Sequence, residues 1–588
     1  MSVSLAPTDS AVDPDVERHP TPRSSSFVAF VVDLAGSFLV PLGAYLFHAA
    51  LFGRWIVDDA AISFAYARNI AEGYGIVHQP GAESVEGYSN PLWTALLTVL
   101  HYFGVLDDGT NTLGGIPDYA YVPRAIAVVC VIVIFLCLRR IFGQIFPRRR
   151  AIVATLVAGL ILAINPSFVG WTVSGMENPL YAALVALLAA LLVTAAVKRN
   201  VLSARVAMLS SVLVLLLALT RPDGLIFVLA YPLLVASQLR RPNLGRSFKA
   251  LVIAGATFAI PAAALLFLRY QTWGLLVPNT AVAKSQNGLD FAGLAKVTQL
   301  VEHVGWPVTF LALLLVGMTF VQLLRPAPTW RVSSAFKLGL YGLTAVFLPS
   351  FAAYALLNED WMIQLRFATP FWVTSAPLLA ALLVHWLAMP HRRTQVVVGV
   401  LTLAAVVPTL LIMADKSQTW RTRPTLTACF VAERYGRMWN TYADLLGIQN
   451  ASYLTPDLGG TLLTSRHKIY DLGGLMDAHI ARAMNTGDHQ ALAEYVFTET
   501  KPTFIHIHGS FKEPIFSDPR LDTDYLPIVP SQDYVRKDAV RNLSGYYFLR
   551  NSAPVAEAAL WSWRKSHQLA SCGPMTPGSP SRMGVQNP

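Results

Sequence analysis

Residues 179–197 read PLYAALVALLAALLVTAAV, an unbroken apolar run without a charged residue. A helix of about 20 such residues is long enough to cross the hydrocarbon core of a bilayer. Glu177 precedes the run and Lys198 follows it, so charge returns on both sides. We therefore predict a membrane-spanning helix in this stretch.

Similar apolar stretches recur along the chain, and together with the first one they make eleven predicted spans. They lie near residues 28–52, 120–141, 151–173, 179–197, 205–220, 224–239, 249–270, 305–324, 337–357, 370–389 and 395–414. The fifth and sixth are separated only by Arg221-Pro222-Asp223-Gly224. We place a hairpin tip there, because turn-forming and charged residues are costly within lipid.

The composition of the chain agrees with a polytopic membrane protein. Of 588 residues, 54% are hydrophobic and only 14% are charged, whereas soluble proteins carry about 25% charged residues. This excludes a disordered chain, a disulfide scaffold and most cytosolic enzymes. The net charge of +10 is attributed to cytoplasmic loops rather than to nucleic-acid binding.

Basic residues mark one side of the predicted spans. They cluster in alternate loops, at Arg139, Arg140 and 148–150; Lys198, Arg199 and Arg205; Arg240, Arg241, Arg246 and Lys249; Arg325, Arg331 and Lys337; and Arg392 and Arg393. Because cytoplasmic loops are enriched in Lys and Arg, this side is predicted to be cytoplasmic. The stretch 91–104 is too short to span and is interpreted as an interfacial or re-entrant helix.

Four segments follow from this topology. They are a disordered cytoplasmic N-terminus at 1–26, a membrane domain at 27–414 with its first extracytoplasmic loop at 53–93, a soluble extracytoplasmic α/β domain at 415–550, and a disordered tail at 551–588. The tail is assigned as disordered because it is rich in Ser, Pro and Gly.

The cysteines and histidines do not indicate a metal centre or a disulfide framework. None of the four cysteines forms a CxxC pair, and such a pair is a common sign of a metal site. His506 and His508 alternate along a strand-like run, but neither a cysteine nor a third histidine accompanies them. We therefore predict no metal site there.

Asp58 and Asp59 are adjacent carboxylates directly after the first span. Like charges so close raise the pKa of one group, and such a pair can supply a general base or bind a divalent cation. The alternative is that both belong to the first turn of a helix, where they complement its dipole. Position alone leaves both interpretations open.

Three basic residues, Arg221, Lys284 and Arg366, lie at the predicted outer ends of different spans. Converging, they would bind a phosphate or pyrophosphate group. The alternative is that each pairs with a nearby acid, Arg221 with Asp223 and Arg366 with Asp360. Glu177 follows Ser174-Gly175-Met176 and has the alternative of a simple helix cap.

Several blocks rich in polar residues occur in order along the chain. They are 55–93, SGMENPL at 174–180, LTRPDG at 219–224, RYQTWGLLVPNTAVAK at 269–284, EDWM at 359–362 followed by Arg366, and YDLGGL at 470–475. Together they resemble the GT-C glycosyltransferases, which are polytopic enzymes that use polyprenyl-phosphate sugars. The resemblance covers about residues 54 to 480, and within this class the blocks are similar to those of the mycobacterial terminal β-(1→2) arabinofuranosyltransferase family. Segment 87–91 departs from the arabinan enzymes, which leaves the transferred sugar open.

The resemblance implies a GT-C fold, an active site on the outer face and an aspartate base. Carried onto this chain, the base is Asp58 or Asp59, and the donor phosphate is held by Arg221, Lys284 or Arg366. Further candidate substrate contacts are Glu86, Tyr88, Asn90, Glu177, Asn279 and Asp360. No cofactor is predicted with certainty, and a divalent cation at Asp58 and Asp59 stays open.

The predicted function is transfer of a sugar, with arabinofuranose as one candidate, from a polyprenyl-phosphate donor to a cell-envelope glycan at the bacterial plasma membrane. The partners are then the donor, the acceptor glycan and membrane lipid, without nucleic acid. The competing classes are a carrier of polyprenyl-linked sugars and a non-catalytic envelope assembly protein. A carrier should place charges along its spans and at both faces, whereas here they gather at one face.

Overall fold

The computed structural model describes residues 23–284, 295–325, 332–357 and 361–581. Helices dominate the first part of the chain, as expected. They are Arg23–Leu34, Val40–Leu51, Asp58–Ala71, Pro91–Tyr102, Asp118–Ile145, Arg148–Ile164, Pro166–Thr172, Asn178–Val197, Ala204–Thr220, Ala230–Ala236, Leu244–Trp273, Asn279–Ala283, Val297–Val304, Trp306–Leu324, Ser334–Leu356, Thr369–Leu387 and Arg392–Thr422. The predicted N-terminal segment lies outside the described residues as far as residue 22.

Within the described residues, eight helices are long and apolar enough to cross a membrane. They are Val28–Leu51, Asp118–Ile145, Asn178–Val197, Arg241–Trp273, Trp306–Leu324, Ser334–Leu356, Arg366–Leu387 and Arg392–Thr422. The predicted count of eleven is not confirmed. The predicted fifth and sixth spans form the helical stretches Ala204–Thr220 and Pro222–Ala236, which at 1.5 Å per residue are short of a core about 30 Å thick.

The predicted third span is bent. Arg148–Ile164 and Pro166–Thr172 meet at an angle of 73°. The break is at Asn165, which is extended because a residue before proline is excluded from the helical region. Its side-chain oxygen accepts from the backbone N–H groups of Ser167 and Phe168 at 2.9 and 3.3 Å, so the second helix starts with a cap.

Small residues allow the central helices to pack closely. The helix Asn178–Val197 buries seven alanines and packs against Asp118–Ile145 and Ser334–Leu356. A Cβ added to Gly342 would lie 2.7 Å from the Cα of Val193. Close backbone approach at small residues is the usual means of helix association within a membrane.

The α/β domain contains a mixed five-stranded sheet of order β4-β3-β5-β7-β6. A separate antiparallel hairpin, β1 (Thr112–Leu113) and β2 (Ile116–Pro117), precedes it in the chain. The sheet strands are β3 Ser452–Thr455, β4 Lys468–Asp471, β5 Phe504–His506, β6 Tyr525–Val529 and β7 Asp533–Arg536. Strand β3 pairs in parallel with β4 and β5, whereas β7 is antiparallel to β5 and β6.

The helices of this domain are Ala428–Val431, Met438–Leu445, Gly459–Thr464, Ala478–Thr486, His489–Glu494, Glu513–Phe516, Arg520–Asp524 and Leu543–His567. The mixed sheet confirms the predicted α/β class. The last membrane helix ends at Thr422, so it continues past the boundary predicted at residue 414.

The prediction of a disordered tail from residue 551 is wrong for residues 551–581. Residues 551–567 belong to the helix Leu543–His567. The following segment packs on the protein: Met575 N–H donates to Asp108 O at 2.7 Å and Gly578 N–H donates to Thr464 O at 2.9 Å. Composition indicated disorder because it carries no information about contacts with residues that are distant in sequence.

The tail is also fixed covalently. Cys429 and Cys572 form a disulfide across 143 residues of sequence, so the prediction of no disulfide is wrong. Sequence spacing was uninformative because tertiary packing alone brings the two cysteines to a Cα–Cα distance of 5.5 Å, within the range that a disulfide requires. Cys130 and Cys137 are free and buried.

We expect Cys572→Ser to lower the stability of the purified protein. Removal of a bond that closes so long a loop typically costs about 2–5 kcal/mol, and the segment 568–581 should become more sensitive to protease. Thermal unfolding without reductant and limited proteolysis measure both effects. The neighbouring Ser571→Ala is the matched control, and equal unfolding temperatures for the two variants would contradict the prediction.

Candidate functional site

The carboxylate of Asp58 joins the membrane region to the α/β domain. Asp58 is the first residue of the helix Asp58–Ala71 and is only 4% exposed. Its two oxygens accept hydrogen bonds from the backbone N–H groups of Gly459 at 3.1 Å and Gly460 at 2.8 Å. Asp58 thus caps the helix Gly459–Thr464 rather than its own helix.

Glycine is required at this contact. A Cβ added to Gly459 would lie 2.0 Å from the backbone oxygen of Asp58, which is closer than any real contact. Burial raises the pKa of Asp58 well above its usual range, and the N–H of Gly460 opposes that shift. A buried carboxylate with both oxygens engaged is suited to holding two segments together.

The two adjacent aspartates therefore differ in their surroundings. Asp59 is half-buried, whereas Asp58 is buried. Both oxygens of Asp58 accept backbone hydrogen bonds, so Asp58 is already engaged in the contact between the two segments. Of the two carboxylates, that of Asp59 is the more accessible to a reacting group.

A hydrogen-bonded chain begins one helical turn after Asp59. Ser63 lies on the same face of this helix as Asp59, because residues four apart are neighbours on a helix. Asn90 donates its side-chain N–H groups to Ser63 Oγ at 3.2 Å and to Glu177 Oε2 at 2.9 Å. All three of these polar residues are buried.

Glu177 is the centre of a buried ion network. Its Oε1 accepts from Arg221 Nη1 at 2.9 Å and from Arg366 Nη2 at 3.3 Å. Arg221 also donates from Nε to Asp223 Oδ1 at 2.9 Å. Burial would raise the pKa of Glu177, but Arg366 and Arg221 outweigh it and the pKa is lowered.

The network answers part of the question that the sequence left open. Arg221 does pair with Asp223, as the alternative interpretation expected. Arg221 and Arg366 also both form an ion pair with Glu177. Two arginines are thus matched by two carboxylates. Asp360, the acid proposed for Arg366, lies outside the described residues.

A cavity of about 320 Å³ lies beside Arg366. Its polar lining among the described residues is Arg366, Lys296, Gln299, Tyr354 and the loop residue Gln364. Lys296 is buried at 8% exposure, with Nζ 5.3 Å from the ring centre of Tyr354, and it donates to the Leu357 carbonyl. Guanidinium and ammonium groups are the usual partners of phosphate and carboxylate groups.

The loop beside this cavity has unusual backbone geometry. Gln364 and Leu365 have positive φ angles of 64° and 55°, although neither is glycine. Trp171 Nε1 donates to the Gln364 carbonyl at 3.0 Å and helps to hold it. Strained residues of this kind persist where surrounding structure over-determines them, often at binding sites.

The other candidate residues form a second cluster. Glu86 accepts from Nε and Nη2 of Arg269 at 2.8 and 2.7 Å. Asn279 donates to the carbonyls of Gly474 and Leu475 at 2.8 and 3.0 Å, and its backbone N–H donates to the Glu86 carbonyl. These contacts connect the first loop, the end of a membrane helix and the α/β domain.

Tyr88 and Lys284 do not take part in the hydrogen bonds of Glu86 and Asn279 described above. The Tyr88 ring packs edge-on against Tyr66, with 5.0 Å between centres, and is buried. Lys284 is exposed at the end of the helix Asn279–Ala283, whereas Arg221 and Arg366 are largely buried. The structure therefore groups Arg366 with Lys296, a residue that the sequence analysis missed.

Asp471, within the YDLGGL block, shapes the loop that Asn279 contacts. Its carboxylate accepts from the N–H groups of Gly473 at 2.7 Å and Met476 at 2.8 Å. Burial raises the pKa of Asp471 to about 7, against the opposing effect of these donors. The block is therefore a capped turn that presents two carbonyls to Asn279.

A larger cleft of about 900 Å³ lies where the α/β domain meets the first loop. Its lining includes Arg68, Glu72, Gln79, Asp107, Lys468 and Tyr470. Arg68 is on the same helix as Asp59, about 14 Å further along its axis. Polar side chains and an aromatic ring make this surface suited to a hydroxyl-rich ligand.

Comparison with known proteins finds matches among solved structures only. No family model and no curated protein matches the sequence. An archaeal oligosaccharyltransferase AglB from Archaeoglobus fulgidus, in complex with an inhibitory peptide and a dolichol-phosphate, has a TM-score of 0.46 at 12% identity. The match covers 79% of this chain and 69% of that one.

Two further structures are similar to this chain. The Archaeoglobus fulgidus oligosaccharyltransferase tethered to an acceptor peptide has a TM-score of 0.47 at 12% identity, covering 85% of this chain and 74% of that chain. The arabinosyltransferase EmbB from Mycobacterium smegmatis has a TM-score of 0.36 at 16% identity, covering 64% and 32%. At these identities and TM-scores, the activity of this chain has to be inferred from its own residues.

We expect Glu177→Gln to destabilise the membrane domain strongly. The substitution leaves Arg221 with Asp223 alone and removes the carboxylate that faces Arg366. Breaking a buried ion pair in this way costs about 3–5 kcal/mol. Thermal unfolding in detergent measures the loss, with the exposed Glu302→Gln as the control. Indistinguishable unfolding of the two variants would show that the network does not stabilise the fold.

Proposed function

We propose that this protein is a membrane glycosyltransferase that moves a sugar from a polyprenyl-phosphate donor to an envelope glycan. The observation that carries the proposal is the polar chain from the Asp59 helix to a cation-lined cavity. Ser63, Asn90 and Glu177 link the helix face of Asp59 to Arg366, which lines that cavity. These hydrogen bonds connect the helix that carries a candidate base with a candidate phosphate site.

Arg366 and Lys296 are proposed to hold the donor phosphate. Their cations stabilise the charge that develops as the bond between the anomeric carbon and the phosphate oxygen breaks, which is an electrostatic contribution to catalysis. The side-chain amide of Gln299 and the hydroxyl of Tyr354, which line the same cavity, can hydrogen-bond the remaining oxygens. Arg221 is proposed to keep Glu177, and through it Arg366, in place.

Asp59 is proposed as the general base. It takes the proton of the acceptor hydroxyl while that oxygen attacks the anomeric carbon, and polyprenyl phosphate leaves from the opposite side. A single displacement of this kind inverts the anomeric configuration. Asp58 is the positioning residue, because its bonds to Gly459 and Gly460 fix the start of the helix that carries Asp59.

The acceptor is proposed to lie along the cleft between the first loop and the α/β domain. This cleft is polar and of about 900 Å³, and it is lined by Tyr470 and by Lys468, whose Nζ is 5.0 Å from the Tyr470 ring centre. Glu86, Tyr88 and Asn279 are proposed to hold the first loop and the turn at Gly474 in place. Arabinofuranose on a decaprenyl phosphate is the first donor to test, because the sequence resembles arabinan enzymes.

The α/β domain is proposed to lie outside a bacterial plasma membrane. Disulfides persist in oxidising compartments, and Cys429 and Cys572 both belong to this domain and its tail. The clusters of basic residues in alternate loops support the same orientation.

Asp59→Asn is expected to reduce sugar transfer by about 10²–10⁴-fold, the range typical of a lost general base. The assay uses membranes with labelled polyprenyl-phosphate sugars and follows the donor consumed. Glu83→Gln, an exposed change in the same loop, is the control and should transfer normally. Full activity of Asp59→Asn would exclude it as the base.

Lys296→Met is expected to raise the KM for the donor at least tenfold, whereas the unfolding temperature should change comparatively little. The matched control is Lys337→Met, because Lys337 also lies over a tyrosine ring, at 5.9 Å from the centre of Tyr341. Lys284→Met tests the site predicted from sequence. If only Lys284→Met raised KM, the donor phosphate would lie at the exposed lysine instead.

A further inference from the structure

Three side chains of the α/β domain converge away from the Glu177 network. They are Asp457, His506 and His508, whose ligand atoms all lie within 4.8 Å of one another. Asp457 Oδ2 is 2.7 Å from His508 Nε2 and 3.7 Å from His506 Nε2. We propose that these residues bind one divalent transition-metal ion, for which Zn²⁺ is the natural probe.

His506 is the observation that points to a ligand rather than to an ion pair. It is only 1% exposed, yet its Nε2 has no hydrogen-bond partner among the described residues. A buried nitrogen without a partner costs free energy. This nitrogen faces Asp457, so a metal ion between them would satisfy it.

The other nitrogen of His506 is held in the manner of a metal ligand. Its Nδ1 lies 2.6 Å from Asp533 Oδ1, and Asp533 is itself fully buried and bonded to Arg434 Nη2 at 2.8 Å. An Nδ1–H that donates to a carboxylate leaves the lone pair on Nε2. Carboxylate–histidine pairs of this kind orient metal-binding imidazoles.

The topology of the sheet explains why these residues meet. His506 and His508 are two residues apart at the end of β5, so their side chains lie on the same face of the sheet. Strand β3 is parallel to β5, and parallel strands bring their carboxyl ends to one edge. Asp457 follows the end of β3 and reaches the same edge. The third ligand was invisible in sequence because it comes from another strand.

The donor set indicates the class of ion. Two imidazoles and one carboxylate suit Zn²⁺ and similar divalent metals, and three protein ligands leave one position open for water or another oxygen ligand. Mg²⁺ and Ca²⁺ prefer a shell of oxygen atoms, which this group does not offer.

The ion would also fix the contact with the membrane region. Asp457 is two residues before Gly459, whose N–H holds Asp58. Binding at Asp457 restrains that loop and therefore the seat of the α/β domain on the helix Asp58–Ala71. The inference does not rest on the proposed function, because it concerns metal content and stability alone.

The test uses the full-length protein purified in detergent, stripped with a chelator and dialysed against Zn²⁺. We expect one tightly held Zn²⁺ per chain by elemental analysis and a higher unfolding temperature with the metal, because an ion that binds only the folded state stabilises it. X-ray absorption should show nitrogen and oxygen ligands at about 2.0–2.2 Å.

Two variants at the site and one control complete the experiment. His508→Ala removes a side chain that is 42% exposed, so the domain should still fold, and Zn²⁺ affinity should fall at least tenfold. Asp457→Asn should lower the Zn²⁺ affinity in the same way. His489→Ala, an exposed histidine of the same domain, should bind Zn²⁺ as the unchanged protein does.

Either of two results would overturn the inference. One is a stripped protein that takes up no Zn²⁺ and shows no shift in unfolding temperature, which would leave Asp457 and His508 as an ion pair only. The other is undiminished Zn²⁺ binding by both His508→Ala and Asp457→Asn, which would place the ion elsewhere.

Discussion

The hydrogen bonds from Gly459 and Gly460 to Asp58 are the contact on which the rest of the arrangement depends. They join the first residue of a loop helix to the first turn of a helix in the α/β domain. The contact requires glycine, because any side chain at Gly459 would collide with Asp58. By seating one domain on the other, it fixes the start of the helix that carries Asp59.

The buried ion network is the second element of this organisation. Arg221 and Arg366 share Glu177, and Asp223 balances the second positive charge. Charges buried without partners would be expensive, so the network fixes the ends of several helices in one geometry. The cavity beside Arg366 adjoins this network, and Lys296 contributes a second cation to its lining.

The α/β domain is held to the membrane region at several independent points. Asn279 reaches the turn at Gly474 and Leu475, and the tail returns through its disulfide to Cys429. In the proposed function, a domain restrained in this way positions a long acceptor relative to the membrane surface.

The sequence by itself determined the membrane-embedded class, the positions of the eight long apolar helices but not the number of spans, and the α/β character of the later domain, because hydropathy and turn residues are local signals. It also singled out Asn90, Glu177, Arg221 and Arg366, which the structure brings together. Tertiary structure alone distinguished Asp58 from Asp59, revealed Lys296 and Asp457, and paired Cys429 with Cys572. Each of these depends on residues far apart in the chain, whose proximity is decided by packing and not by spacing.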